Sequence, residues 1–182
     1  MNRRLFCQFP LVAAALLGEA NAMQQPAKGF KVESRKDRFN EELLLMGGQF
    51  DCKVSSKDTG GELCIYDTFR REKGGPALHM HYRQDEWFFV LQGEFVVKVG
   101  NDLLELKAGD SAFAPRQVPH TFAKTSDGEA RMLILFQPAG SIEEFFKAMV
   151  DLGPTIPSGR EQALKTLFRT HGMKLLGPPL QV

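Results

Sequence analysis

Between Leu43 and Pro138 the chain alternates short apolar runs with Gly, Pro and Asp signals. Runs of this length, rich in β-branched and aromatic residues and closed by turn residues, predict strands. The clearest are Leu63 to Arg70, Trp87 to Leu91, Glu94 to Val99, Leu103 to Leu106, Ser111 to Ala114, His120 to Thr125 and Arg131 to Gln137. Gly93-Glu94 and Gly100-Asn101-Asp102 read as hairpin turns. So many short, closely spaced strands predict an all-β domain, a double-stranded β-helix or jelly roll, over residues 43–140. A polar lead-in, residues 23–42, precedes it, with a short helix expected near Asp37 to Glu42.

After Gly140 the period changes from two to about 3.6. Ser141-x-x-Glu144 resembles a capping box, and Ile142, Phe145, Phe146, Met149 and Val150 recur at helical spacing until Gly153-Pro154. Ser158 is placed to cap a second helix through Leu164, Leu167 and Phe168 toward His171-Gly172, beyond which Gly177-Pro178-Pro179 ends the periodicity. Residues 141–182 are therefore expected to form a C-terminal helical extension. Its apolar stripes would pack on the barrel or across a homodimer. His171, at a helix end, suits a partner for the helix dipole better than a ligand.

The amino terminus reads as a targeting segment, residues 1–22. Asn2-Arg3-Arg4 is a basic start, Leu5 to Leu17 an apolar stretch, and Ala20-Asn21-Ala22 an A-x-A cleavage site. Gln8 and Pro10 interrupt a stretch already too short to span a bilayer, so no membrane insertion of the mature chain is expected. Arg3-Arg4-Leu5-Phe6 also resembles the core of twin-arginine signals, which leaves that export route open beside the general one. The expected location is the bacterial periplasm. Removing this segment takes away Arg3, Arg4 and Glu19 and leaves a formally neutral protein.

At 182 residues, 43% hydrophobic and 25% charged, the chain suits one globular domain. A net charge of +1 without long runs of one sign gives no electrostatic footprint for nucleic acid, so the expected partner is a small molecule. Cys7 leaves with the signal. Cys52 and Cys64 flank the turn-rich stretch from Ser55 to Gly61 at equal distance from Asp58, so they can face each other across a hairpin. Either a disulfide or two reduced cysteines acting as small apolar residues is compatible with that spacing.

The chemistry lies in His79-x-His81-x4-Glu86-x6-Gly93, followed by Gly109-x5-Pro115-x4-His120. Two histidines one residue apart on a strand project from the same face. A carboxylate shortly after them, and a later histidine reaching from across a barrel, complete a set able to hold a divalent transition metal. These two patterns resemble those of the cupin superfamily, and their phrasing, Asp85-Glu86-Trp87-Phe88-Phe89-Val90-Leu91-Gln92-Gly93 and Ala114-Pro115-Arg116-Gln117-Val118-Pro119-His120, is most similar to small single-domain cupins grouped with quercetin dioxygenases. Gly74 stands one residue closer than the pattern's leading glycine, Gln117 replaces a glycine and Lys124 replaces its terminal asparagine.

The resemblance implies one metal, Mn, Fe, Co, Ni, Cu or Zn, held by His79, His81, Glu86 and His120, with Glu86 also the proton acceptor. A barrel keeping the pattern without a metal is the bland alternative. Four protein ligands on an octahedral ion leave two positions, enough for a substrate oxygen and O₂ together. An oxygen-dependent dioxygenase of a phenolic, flavonol-like or enolic molecule is the leading expectation. A metal-dependent isomerase or decarboxylase, and a non-catalytic small-ligand module, stand beside it. Trp87, Phe88, Phe89, Phe95, Phe113 and Phe122 are candidate pocket aromatics, although strand parity forbids all six facing inward. Tyr82, Gln84 and a solvent-facing Arg116 lie close to the ligand strands, and Lys124 reads as a surface residue.

Overall fold

The computed structural model describes residues 28–153 and 160–182. The targeting segment and the cap expected at Ser158 fall outside the described residues. In chain order the strands are β1 (Leu44–Leu45), β2 (Gly48–Val54), β3 (Cys64–Arg70), β4 (Ala77–His81), β5 (Asp85–Gln92), β6 (Glu94–Val99), β7 (Asp102–Lys107), β8 (Ser111–Ala114), β9 (His120–Lys124), β10 (Ala130–Gln137) and β11 (Met173–Pro179). They form two antiparallel sheets, ordered β1-β2-β3-β10-β5-β8 and β11-β4-β9-β6-β7. This is the jelly roll that the strand spacing predicts.

Alternation along β5 shows how the sequence builds it. Glu86, Phe88 and Val90 are buried, whereas Trp87 and Phe89 lie on the outer face, their rings stacked at 5.5 Å. A one-residue slip would exchange the two sets and eject Glu86 from the interior. The Gly100 turn joins β6 to β7 as expected. Gly93 is not a hairpin turn: β5 and β6 belong to different sheets, and the glycine carries the chain between them. A Cβ at Gly93 would lie 2.6 Å from that of Ala130, and its φ of +77° suits glycine.

Three other elements differ from expectation. Residues 37–42 form turns rather than a helix, and Asp37 accepts hydrogen bonds from the backbone of Phe39 and of Cys52. The turn after β2 contains α1 (Ser56–Thr59), capped by Ser55 and Asp58. The tail is not wholly helical: after α2 (Ile142–Leu152) and α3 (Arg160–Thr170), β11 adds to the free edge of β4. Prolines 178 and 179 are tolerated because the strand lies at a sheet edge.

Helix α2 covers one end of the barrel. Phe146 packs on Phe50 at 5.1 Å and on Tyr66 at 4.9 Å between ring centroids, and Phe145 meets Phe168 of α3 at 4.9 Å. Truncating a buried phenylalanine such as Phe146 to alanine costs about 3–5 kcal/mol, enough to loosen this cover. Ser141 begins α2 without a side-chain cap. Its hydroxyl is instead within 3.0 Å of His171 Nδ1, which ties the start of α2 to the end of α3.

Candidate metal centre

His79 and His81 leave β4 on the same side, as their spacing requires. His120 does not reach across the barrel: β9 is the strand beside β4, and His79 and His120 are directly paired. Glu86 comes from the opposite sheet, on β5. The loop before β4 must cross β9 closely, since a Cβ on Gly75 would fall 1.8 Å from the Phe122 carbonyl oxygen. Glycine is required there for packing.

All four side chains are buried, and one potential ligand atom from each lies within 4.8 Å of the others. Each imidazole has its Nδ1 committed. His79 Nδ1 is 2.8 Å from the Ala77 carbonyl, His120 Nδ1 2.8 Å from the Val118 carbonyl, and His81 Nδ1 2.8 Å from Gln84 Oε1. Carbonyl oxygens can only accept, so each Nδ1 carries a proton and each ring turns its Nε2 inward, where it is a lone-pair donor whenever the ring is neutral. Those three nitrogens lie 4.0, 3.3 and 2.9 Å from Glu86 Oε2, for His79, His81 and His120 respectively. His81 Nε2, although fully buried, has no hydrogen-bond partner among the described residues. Three inward Nε2 atoms and a carboxylate, held by outer hydrogen bonds, are a donor set suited to a divalent transition metal.

Electrostatics agree. Burial disfavours the charged form of His79, and with the neighbouring His120 and His81 it lowers the pKa to about 3, so the ring is neutral and available as a ligand. Burial opposes ionisation of Glu86, yet the imidazoles of His120 and His81 outweigh it and hold the carboxyl well below its ordinary range. His120 is shifted upward, its burial overcome by the hydrogen bond to Glu86. A proton shared between His120 Nε2 and Glu86 occupies ground that a cation can take.

Gln84 is the contributor that the sequence motif does not identify. Its carbonyl fixes His81, its amide donates to the Ala139 carbonyl, and a Cβ on Gly140 would sit 2.8 Å from its nitrogen. The other two histidines use main-chain oxygens two residues back, so only His81 depends on a side chain for its orientation.

His79, His81 and Glu86 open onto an apolar cavity of about 30 Å³, lined also by Met46, Phe122, Phe136, Phe145, Phe146 and Phe168. That volume holds little more than water, and Phe168 stands over His79 at 5.7 Å between centroids. Of the expected aromatics, Phe122 lines the cavity and Phe88 and Phe95 pack behind it. Trp87, Phe89 and Phe113 lie on the outer face, with Phe113 mostly exposed. Arg116 is half-exposed and paired with Asp85 at 2.6 Å. Lys124 is not a surface residue: it is buried, with its ammonium donating to the Ser126 carbonyl.

Residues 69–136 match the Cupin domain family. An uncharacterized protein of Methanocaldococcus jannaschii is 28% identical over 67 residues, 37% of this chain and 54% of that protein. The 3-hydroxyanthranilate 3,4-dioxygenase of Xanthomonas campestris pv. campestris is 40% identical over 55 residues, 26% of this chain and 31% of the enzyme. The chain thus spans about half of one of these relatives and under a third of the other. An RmlC-like cupin from Shewanella frigidimarina superposes with a TM-score of 0.49 at 23% identity, covering 64% of this chain and 96% of that one. The family match covers the strands that carry all four candidate ligands, and within the jelly roll these residues form a buried three-histidine, one-glutamate cluster suited to a metal ion.

Proposed function

We propose that the chain is a metal-dependent dioxygenase acting on a small phenolic or enolic molecule. The observation that carries this reading is the common direction of the three Nε2 atoms and the Glu86 carboxylate, beneath an aromatic cavity. His79, His81, His120 and Glu86 would hold the ion. When bound, it would supply Lewis-acid activation of a substrate oxygen and redox access to O₂. Likeness to a 3-hydroxyanthranilate dioxygenase over 55 residues supports oxygen chemistry on a hydroxylated ring.

The chain's own residues have three tasks. Glu86, kept ionised by its imidazole neighbours, accepts the proton of a substrate hydroxyl through a carboxylate oxygen. Gln84 holds His81 in the tautomer that leaves Nε2 free. Phe145, Phe146 and Phe168 exclude water and must yield for a ring to enter, because the enclosed volume is too small for one. The test is a screen of phenolic and enolic compounds against metal-loaded protein, with oxygen uptake recorded. Substrate-dependent uptake, lost on chelation, is expected. Turnover that proceeds without oxygen would instead favour an isomerase or decarboxylase.

A further inference from the structure

Arg70 ends β3 with its side chain turned into the barrel and is only 2% exposed. Its Nη2 donates to the Met46 carbonyl, and its guanidinium lies 5.4 Å from the centroid of the Phe122 ring. Both Nε and Nη1 are buried and have no hydrogen-bond partner among the described residues. Arg35, Arg38, Arg116 and Arg131 each pair with a carboxylate. Arg70 does not: burial alone lowers its pKa, to about 10, with no acidic group offsetting that cost. Pinning the turn at Met46 accounts for one of its donors and leaves the positive charge uncompensated. A buried cation in this state costs several kcal/mol unless an anion joins it.

The two residues that hold Arg70 are also cavity residues. Met46 and Phe122 line the same space as His79, His81 and Glu86, and Met46 further borders an outer groove of about 690 Å³ between the β1–β2 turn and α2. Gly48 also borders that groove, and a Cβ on it would lie 3.0 Å from the Arg70 side chain, which sits directly beneath. We propose that the ligand of this cavity carries a carboxylate, which pairs with Arg70 while the apolar remainder lies among the phenylalanines. The inference rests on reading the cavity as the substrate chamber, and it narrows the substrate class to aromatic or enolic carboxylates. Binding the anion satisfies the two free donors and neutralises the buried charge, so carboxylate and neutral analogues of one shape should be strongly distinguished.

Benzoate and benzamide test this, titrated calorimetrically into the full chain with metal content measured in the same preparations. Benzoate should bind roughly tenfold or more tighter than benzamide, the scale expected for hydrogen bonds to a charged group. Arg70→Gln, which keeps a donor for the Met46 carbonyl, should abolish that preference. Arg70→Met serves the same purpose if the glutamine variant fails to fold, since an apolar residue of similar length replaces an uncompensated charge at little cost. Equal binding of the two compounds, or a benzoate preference surviving in the Arg70 variant, would overturn the proposal. Normal metal content with no benzoate preference removes the anion site alone. An Arg70-dependent preference in protein that binds no metal removes the metal reading alone.

Discussion

Among the described residues, two groups of buried, ligand-type side chains stand out, and they differ in how their neighbours use them. His79, His81, Glu86 and His120 form one; Cys52, Cys64 and Glu143 form the other, also with one potential ligand atom each within 4.8 Å. In the first, the outer nitrogen of every imidazole is occupied and the inner one faces the shared carboxylate. In the second the acid is already satisfied: Glu143 accepts from the Ser55 hydroxyl at 2.8 Å, the Ser56 backbone at 2.8 Å and the Ser56 hydroxyl. The two cysteines are reduced and buried, and the Cys52 hydrogen bond together with burial raises the Cys64 thiol far above its ordinary range. Neutral thiols are poor ligands and poor nucleophiles. Proximity of ligand-type residues is therefore shared; what distinguishes a metal site is donors left free in the right protonation state.

Substitution in the two groups should separate them cleanly. The native protein is expected to bind about one divalent transition metal per chain. His79→Ala with His120→Ala should abolish this, while Cys52→Ala with Cys64→Ala should leave it intact. Elemental analysis after desalting reads both outcomes, and stoichiometric metal in the histidine double variant would place the site elsewhere. Within the first group, Glu86→Gln keeps an oxygen able to coordinate but cannot accept a proton. It should retain much of its metal and lose roughly 10²-fold or more in turnover. Loss of both together would leave Glu86 a ligand only.

The contrast extends to acid. Unfolded His79 takes up a proton near pH 6.5, while the folded ring resists until about pH 3. Its contribution to stability is thus present above pH 6.5 and is lost progressively between 6.5 and 3. Glu86, also depressed in the folded state, adds a loss of the same sign below its ordinary value of 4.5. His120 shifts the other way, but its contribution is already complete below pH 6.5 and does not oppose the trend. Metal-free protein should lose up to about 1.4 kcal/mol per pH unit from His79 across this window. Melting temperatures that stay level from pH 6.5 to 4 would show that His79 is not held neutral.

How far the sequence reached follows from the range of each interaction. Strand periodicity is local, so the inward set of β5 and the shared face of His79 and His81 were legible. Sheet partnership is not local: Gly93 has the residues of a hairpin turn, yet the next strand joins the other sheet, and His120 stands beside His79 rather than opposite. Gln84 could not be singled out, since its role depends on meeting Ala139 and Gly140 from a distant turn. Lys124 looked like an ordinary surface cation because nothing in its neighbours reports that β9 runs inside. The phenylalanines of α2 and α3 read correctly as packing surfaces. What they pack over, the histidine and glutamate cluster, is known only once the helices fold back on the barrel.

The smallest effect expected lies in the second group, and it tests whether that group is structural. Glu143 joins α2 to α1 through two serines, and its carboxylate leaves the donors of Ser55 and Ser56 satisfied in a partly buried setting. Glu143→Ala removes the acceptor and strands those donors near the reduced cysteines. A cost of about 1–3 kcal/mol follows from leaving such groups unpaired. Glu143→Gln, which keeps one oxygen acceptor, should lose less. Denaturant unfolding of both variants measures this, with metal content followed in parallel. Since α2 also supplies Phe145 and Phe146 to the cavity wall, a modest loosening of α2 should ease ligand entry while metal stoichiometry stays unchanged. A Glu143→Ala variant as stable as the parent but deficient in metal would invert the comparison, and the cysteine group would have to be regarded as a metal site in its own right.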